Sequence, residues 1–309
     1  MTATAIAPAT EVIASTSPKP WATWTAAAIT IVIFLGVGLR EEPPDFPTLA
    51  AWGAPSAGAI WNGAYWGLVT TVFVHLAVWH LAFNVYWLLL LGNVLESAIG
   101  PARWALFFLG AAIVSSGAEL ALAGTSGIGL SGVVYAIFGF LWIGKRSFPS
   151  FARVLPNQTV LLFLIWLVGC MLATRLGFAN IGNAAHAGGL VFGVAAGFAS
   201  TRAPSAIVAR SVIAVLLVGA LVPLFWCPWS YEWCAEKAYA AHVRKDYRSA
   251  VTWYRKSQRF HRQPEWVLRN LALAYRGLGD TAAAAATAEE LRRLNPKAVL
   301  DDGDDREKP

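Results

Sequence analysis

The sequence predicts an all-α, polytopic membrane protein with a small helical domain appended to its C-terminal end. Three observations predict it. Of 309 residues, 57% are hydrophobic and 14% charged, and the mean hydropathy is +0.52; soluble domains carry about a quarter charged residues. Apolar runs near 21–39, 79–95, 103–122, 131–145, 158–177, 184–201 and 206–226 approach the roughly 20 residues that a helix needs to cross a bilayer. Past residue 226 the pattern changes: residues 232–309 hold 15 of the 24 Lys and Arg and 12 of the 18 Asp and Glu.

Residues 1–20, rich in Ala, Thr, Pro and Ser, read as a disordered tail. No basic stretch precedes the first apolar run and no cleavage pattern follows it, so no removed signal peptide is expected. Residues 21–201 then form a six-helix membrane core. Its first and second helices are joined by a Pro- and Trp-rich loop, 40–78, which carries Arg40, Glu41, Glu42 and Asp45. Trp52, Trp61, Tyr65 and Trp66 in that loop suit the membrane–water boundary.

Residues 202–226 read as a seventh transmembrane helix. Lys145, Arg146 and Arg153 follow the fourth run, and Arg202 and Arg210 flank the junction of the sixth and seventh. The 123–130 loop carries no charge and the 40–78 loop leans acidic; Arg175 alone departs from the pattern. Positive loops stay in the cytoplasm, so the N-terminus is expected inside and everything after residue 226 outside, as in a bacterial plasma membrane. The net charge of +6 is then divided between topology signals and a solvated segment, which argues against nucleic-acid binding.

Residues 227–297 carry a repeat. Asp246, Tyr247 and Ala250 align with Asp280, Thr281 and Ala284 at a shift of 34, and Ala238 and Ala241 fall on Ala272 and Tyr275. A 34-residue helix–turn–helix period is that of tetratricopeptide (TPR) repeats. The stretch EWVLRNLALAYRGLGDTAAAAATAEELRRLNP resembles that family, with Pro264 and Pro296 closing the two units; a plain helical hairpin is the alternative. Residues 298–309 are an acidic, flexible end. Of the three cysteines, Cys170 reads as packing, while Cys227 and Cys234 bracket CPWSYEWC just outside the seventh helix. In an oxidising compartment that pair is expected to form a disulfide; zinc needs more ligands.

Polar groups inside a membrane are costly and tend to be functional. Those in the apolar helices are His80, Asn84, Ser131, Tyr135 and His186, with His75 just before the second run. His80, Ser131 and His186 open the second, fourth and sixth helices, which all cross in the same direction, so the three share one depth near the outer surface. His80 and Asn84 are four apart and share a face, as do Ser131 and Tyr135. His186, Gly189, Gly193 and Gly197 form one stripe, and Gly-xxx-Gly spacing lets helix backbones meet closely. Gly132, Ala136 and Gly139 offer the matching small surface on the fourth helix.

The chemistry follows from these residue types. A serine hydroxyl becomes a nucleophile when a base takes its proton, and neutral histidine is the usual base near pH 7. The oxyanion formed at a peptide carbonyl needs donors aimed at it in advance. First-turn backbone N–H groups beside Ser131 are available, the His80 and Asn84 side chains add donors, and Gly129 and Gly132 let a substrate backbone come near. Gly-x-Ser-x-Gly is broken by Val133, HExxH is absent, and there is no pair of intramembrane aspartates. Glu119 is the one acid deep in an apolar run, near the outer end of the third helix; packing or solvent contact is its expected role, orienting His186 is the alternative, and the dyad is expected to work without a carboxylate.

These residues resemble a known family. GLSG at 129–132 with Tyr135, AHAGGLVFG at 185–193 and HLAFNVYWLLLLGNVLE at 80–96 resemble the Gly-x-Ser-Gly, His-x-x-Gly-x-x-x-Gly and His-x-x-x-Asn segments of rhomboid intramembrane serine proteases, over roughly residues 21–200. The resemblance implies a rhomboid-like core in which Ser131 is the nucleophile and His186 the general base. By the same resemblance, His80, Asn84 and the backbone of Leu130 and Ser131 are expected to form the oxyanion hole. Tyr135 is expected to stack on the His186 ring and hold it, and Gly189 and Gly193 to pack the sixth helix on the fourth. It also implies cleavage of membrane-anchored proteins in or beside their transmembrane segments, with no metal or cofactor. The family's frequent Trp-Arg in the first outer loop is Trp66-Gly67 here. The competing expectations are a non-proteolytic binder of membrane helices, or a scaffold in which the TPR-like segment holds a peptide or protein partner.

Overall fold

The computed structural model describes residues 19–40, 42–200, 205–259 and 265–298. Arg202, Pro264 and all but Lys19, Pro20 and Ala298 of the two expected tails lie outside the described residues.

Each apolar run is one helix or one continuous helical span. The first is α1 (Trp21–Val37), which starts after Pro20 without a side-chain cap of its own. Its first-turn N–H groups are satisfied from elsewhere: Glu96 accepts Ala22 N–H at 2.9 Å and Thr23 N–H at 2.7 Å, and the Thr23 hydroxyl adds a bond of 2.7 Å. A buried carboxylate at a helix N-terminus satisfies orphan donors and suits the dipole there.

Residues 40–78 hold more structure than a loop. They contain α2 (Phe46–Ala51), α3 (Ala57–Trp61) and α4 (Gly67–Thr70), followed by a 3₁₀ turn over Thr71–Phe73. Asp45 caps α2 by accepting Thr48 N–H at 2.9 Å, and Ser56 caps α3 by accepting Ala59 N–H at 3.2 Å. Gly67 is buried, and a Cβ there would lie 2.5 Å from Pro55 Cγ and 3.0 Å from Ile60 Cδ1. The position after Trp66 has no room for an arginine.

The second span, Val78–Ile99, is α5 (Val78–Trp87), a π-helical turn over Leu88–Gly92, and α6 (Asn93–Ile99). The next elements are α7 (Pro101–Ala123), α8 (Ser131–Gly144), the short α9 (Pro149–Val154), α10 (Asn157–Arg175), α11 (Asn183–Ala199) and α12 (Ser205–Phe225). Among the described residues, the second span and α7, α10 and α12 are long and apolar enough to cross a membrane; α1 and α8 are apolar but shorter.

α8 is the centre of the bundle, with every residue from Gly132 to Leu141 buried. α11 lies against it backbone to backbone. Added Cβ atoms at Gly189 and Gly193 would run into the carbonyls of Gly132 and Ala136, and one at Gly139 would reach Leu190 O at 2.7 Å. Lipid is as apolar as a leucine side chain, so helices in a bilayer are held by close packing rather than by the hydrophobic effect. The glycine stripe makes that packing possible here.

Beyond α12 come α13 (Tyr231–Val243), α14 (Tyr247–Gln258), α15 (Glu265–Leu278) and α16 (Thr281–Leu294). The 34-residue shift is reproduced as geometry. Lys245 and Gly279 both have positive φ (62° and 79°), and Asp246 and Asp280, next in sequence, cap the following helices through Ser249 N–H and Ala283 N–H. Cys227 and Cys234 depart from expectation: both are free thiols, fully buried beside Trp61 and Trp233. Each thiol has its own carbonyl neighbour at 3.7 Å, Ala121 O for Cys227 and Pro228 O for Cys234. Burial pushes the Cys227 thiol up to about 11 and raises Cys234 as well, which suppresses the thiolate that disulfide exchange requires.

Candidate active site

The loop after α7 delivers Ser131 to the first turn of α8. Gly129, at φ +102°, makes the last bend, and its N–H donates to Thr71 O at 3.2 Å. A Cβ there would lie 2.6 Å from His80 Cε1, so the glycine lets the chain pass the imidazole. His186 sits in the first turn of α11 and is 4% exposed. Its Nε2 lies 2.8 Å from Ser131 Oγ, inside the 2.6–3.2 Å reach expected of a nucleophile and its base. If the hydroxyl donates to Nε2, the imidazole proton is on Nδ1. Among the described residues, no side chain reaches His186 Nδ1.

Tyr135 is one turn along α8 from Ser131. Its ring lies against that of His186 with centroids 4.8 Å apart and planes at 33°, and its hydroxyl donates to Phe163 O of α10 at 3.1 Å. The ring is thus held between His186 and the neighbouring helix. Gly132 packs on Ser115 of α7, where a Cβ would meet Ser115 Cβ at 2.5 Å.

His80 and Asn84 line the same cavity as Ser131 and His186, a space of about 640 Å³. Asn84 Nδ2 donates to His80 O at 2.9 Å, which occupies one of the amide's two hydrogens and leaves the other. The first-turn N–H of Ser131 has no intrahelical acceptor, as at any helix start.

The Leu130 N–H, one of the expected oxyanion-hole donors, has a partner in the absence of substrate. It donates to His75 Nε2 at 3.3 Å and is engaged in the resting structure. His75, which the sequence marks only as a polar residue near the second run, therefore holds the loop. Its Nδ1 faces Phe73 O at 3.3 Å and its ring rests 4.7 Å from that of His80. With Nε2 accepting, Nδ1 carries the proton and donates to Phe73 O.

Glu119 is the second residue whose part differs from expectation. It is buried in α7, but it neither packs passively nor faces solvent. Its Oε2 accepts Ala185 N–H at 3.0 Å, and its Oε1 accepts the Thr125 hydroxyl at 3.4 Å. α11 has no side-chain cap of its own, so the Glu119 carboxylate takes that place for the helix that bears His186. The signal in the sequence was the cost of a carboxylate in an apolar run; its partner, a backbone N–H 66 residues away, left no mark in the sequence.

The cavity runs between α5 and α10, with Trp79 and Phe83 on one side and Leu162 and Trp166 on the other. Phe83 and Trp166 meet across it with ring centroids 5.4 Å apart. Trp79 is 71% exposed and much of α10 turns apolar side chains outward, so the two helices present lipid-compatible surfaces beside the site.

Residues 62–203 match the family model of the rhomboid domain, a segment that contains His75, His80, Asn84, Glu119, Ser131, Tyr135 and His186. The chain is 30% identical over 217 residues to the rhomboid protease GluP of Bacillus subtilis (strain 168), an overlap of 69% of this chain and 41% of that protein. It is 34% identical over 137 residues to the rhomboid protease GlpG of Serratia proteamaculans (strain 568), covering 44% of this chain and 49% of that protein. With the rhomboid protease GlpG of Klebsiella pneumoniae (strain 342) it shares 30% identity over 179 residues, 58% of this chain and 63% of that protein. The chain thus spans about half the length of these relatives.

Proposed function

We propose that this protein is a rhomboid-type intramembrane serine endopeptidase, with Ser131 as nucleophile and His186 as general base. The observation that carries the reading is the 2.8 Å contact between Ser131 Oγ and His186 Nε2. Its support is the likeness of the surrounding segment to rhomboid proteases.

The reaction uses these groups in order. As Ser131 Oγ bonds to the scissile carbonyl carbon, its proton passes to His186 Nε2. The Ser131 N–H and the side chains of His80 and Asn84 receive the developing oxyanion. The tetrahedral intermediate collapses, the C–N bond breaks, and His186 gives its proton to the departing amine. Water, deprotonated by the same imidazole, then releases the acyl group and regenerates Ser131. Tyr135 holds the imidazole ring through both halves. No metal or cofactor is needed for any step.

Substrates are proteins with a transmembrane segment, which reach the cavity from the lipid between α5 and α10. Ser131 and His186 lie near the outer surface, where water meets a lipid-embedded peptide. In this reading the N-terminus is cytoplasmic and α13–α16 lie outside the plasma membrane of a bacterium. There they act as a TPR-like module that binds a peptide or protein partner. The test of the activity is cleavage of a model membrane substrate by the purified protein, compared with Ser131→Ala and His186→Ala.

A further inference from the structure

We infer that residues 227–236, which run from the α12–α13 linker into the first turns of α13, clamp the loop that presents Ser131, and that Trp229 is the positioning residue of that clamp. The inference rests on the protease reading only for its effect on turnover. α7 ends at Ala123, and its last carbonyls lack partners within the helix. One of them, Ala121 O, accepts the indole N–H of Trp229 at 2.8 Å, with the Cys227 thiol 3.7 Å from the same oxygen. Gly124 follows at φ +67°, and the Glu232 carboxylate occupies the space that a side chain there would fill.

The same segment is tied to the outer loop. Asn62 Nδ2 donates to Glu236 Oε1 at 2.6 Å, and Trp61 Nε1 donates to Pro223 O, inside α12, at 3.1 Å. Ile60, Trp61, Leu68, Leu120, Leu224, Cys227, Trp233 and Cys234 close one buried cluster around these bonds. The start of α13 is therefore joined both to α3 and to the end of α7.

From Gly124 the chain reaches Ser131 in seven residues. Along the way it is held by Thr125 on Glu119, by Gly129 on Thr71 and by Leu130 on His75. The clamp adds an anchor point ahead of these three, at the end of α7, and it is built from residues beyond the membrane core. Releasing it leaves Ser131 attached to α8 but loosens the loop that sets its approach to His186. Small misplacements of reacting groups are costly in rate.

The test is Trp229→Phe, which keeps the ring and removes the N–H, beside Trp229→Ala, with Trp226→Phe as the control. Trp226 is exposed, makes no indole hydrogen bond among the described residues and meets the Trp229 ring edge-on at 5.2 Å, so Trp226→Phe keeps an aromatic ring on Trp229 and controls for that contact. The proteins are compared in liposomes by kcat and KM on a model membrane substrate, and by hydrogen–deuterium exchange over residues 124–130. We expect Trp229→Phe to lower kcat about 3- to 10-fold, the range for one lost hydrogen bond. KM stays within about twofold, the sign of an effect on the transition state rather than on binding. Exchange over 124–130 rises, and Trp226→Phe matches the native protein in all three. Unchanged exchange in Trp229→Phe overturns the clamp, as does raised exchange with kcat unchanged. If Trp229→Ala does not fold, Trp229→Phe decides. If the native protein cleaves nothing, the protease reading fails, and the exchange measurement still accepts or rejects the clamp.

Discussion

Glu119 Oε2 accepts the backbone N–H of Ala185, the residue before His186, at 3.0 Å. A carboxylate on one helix thereby sets the first turn of another, and with it the starting point of the imidazole. Glu119→Gln keeps an acceptor oxygen of nearly the same shape and should retain cleavage within about threefold. Glu119→Leu leaves a buried N–H unpaired, a cost of about 1–3 kcal/mol. It should lower both the unfolding temperature and kcat. Equal activity in Gln and Leu variants would contradict the capping role.

The helix contact that brings the site together depends on hydrogen as the side chain of Gly193, because a methyl group there enters the space of Ala136 O. Gly193→Ala should destabilise the protein by about 1–3 kcal/mol, the usual cost of overpacking, and reduce cleavage by moving α11 off α8. Gly219 in α12 meets nothing within 4 Å of an added Cβ. Gly219→Ala should therefore be neutral or slightly stabilising by helix propensity. Thermal unfolding in detergent compares the two, and equal stability would remove the argument from close packing.

Tyr135 makes two contacts that substitutions can separate. Tyr135→Phe keeps the ring against His186 and loses the bond to Phe163 O; a drop in kcat of about 2- to 10-fold follows from one hydrogen bond. Tyr135→Ala loses the ring as well and should fall much further. A smaller loss in Ala than in Phe would show that the ring does not hold the imidazole.

The two buried thiols near the start of α13 are protected by enclosure and by their suppressed ionisation. Alkylation of the native protein near neutral pH should leave Cys227 and Cys234 unmodified. Denaturation without reductant should then expose three alkylatable cysteines by intact mass. One adduct without reductant and three with it would restore the disulfide.

Much of the architecture is legible in the sequence because hydropathy and punctuation agree. The runs near 131–145 and 184–201 become Ser131–Gly144 and Asn183–Ala199, and the glycine spacing that pairs them is a local pattern. Ser131 and His186 can be matched for the same reason, since helices of one direction starting with polar residues share a depth. What the sequence does not reveal depends on partners distant along the chain. His75 holding Leu130, Glu119 holding Ala185 and the thiols facing carbonyls are side-chain-to-backbone contacts across 55, 66 and, for Cys227, 106 residues. A backbone acceptor or donor has no residue type, so nothing in the sequence marks it. The short helices at Phe46–Ala51 and Ala57–Trp61 were hidden by length, being too brief for a helical period to emerge among Pro and Gly.

Joint cleavage and serine labelling is the most direct measurement of the central claim. The purified protein is reconstituted in liposomes with a model transmembrane substrate and, separately, with a serine-directed fluorophosphonate. The native protein should cut the substrate and take up the label at Ser131. Ser131→Ala should do neither, and His186→Ala should lose cleavage and label far more slowly, since the base is gone and the hydroxyl remains. Undiminished cleavage by Ser131→Ala, or labelling of another serine in the cleaving enzyme, would contradict the account.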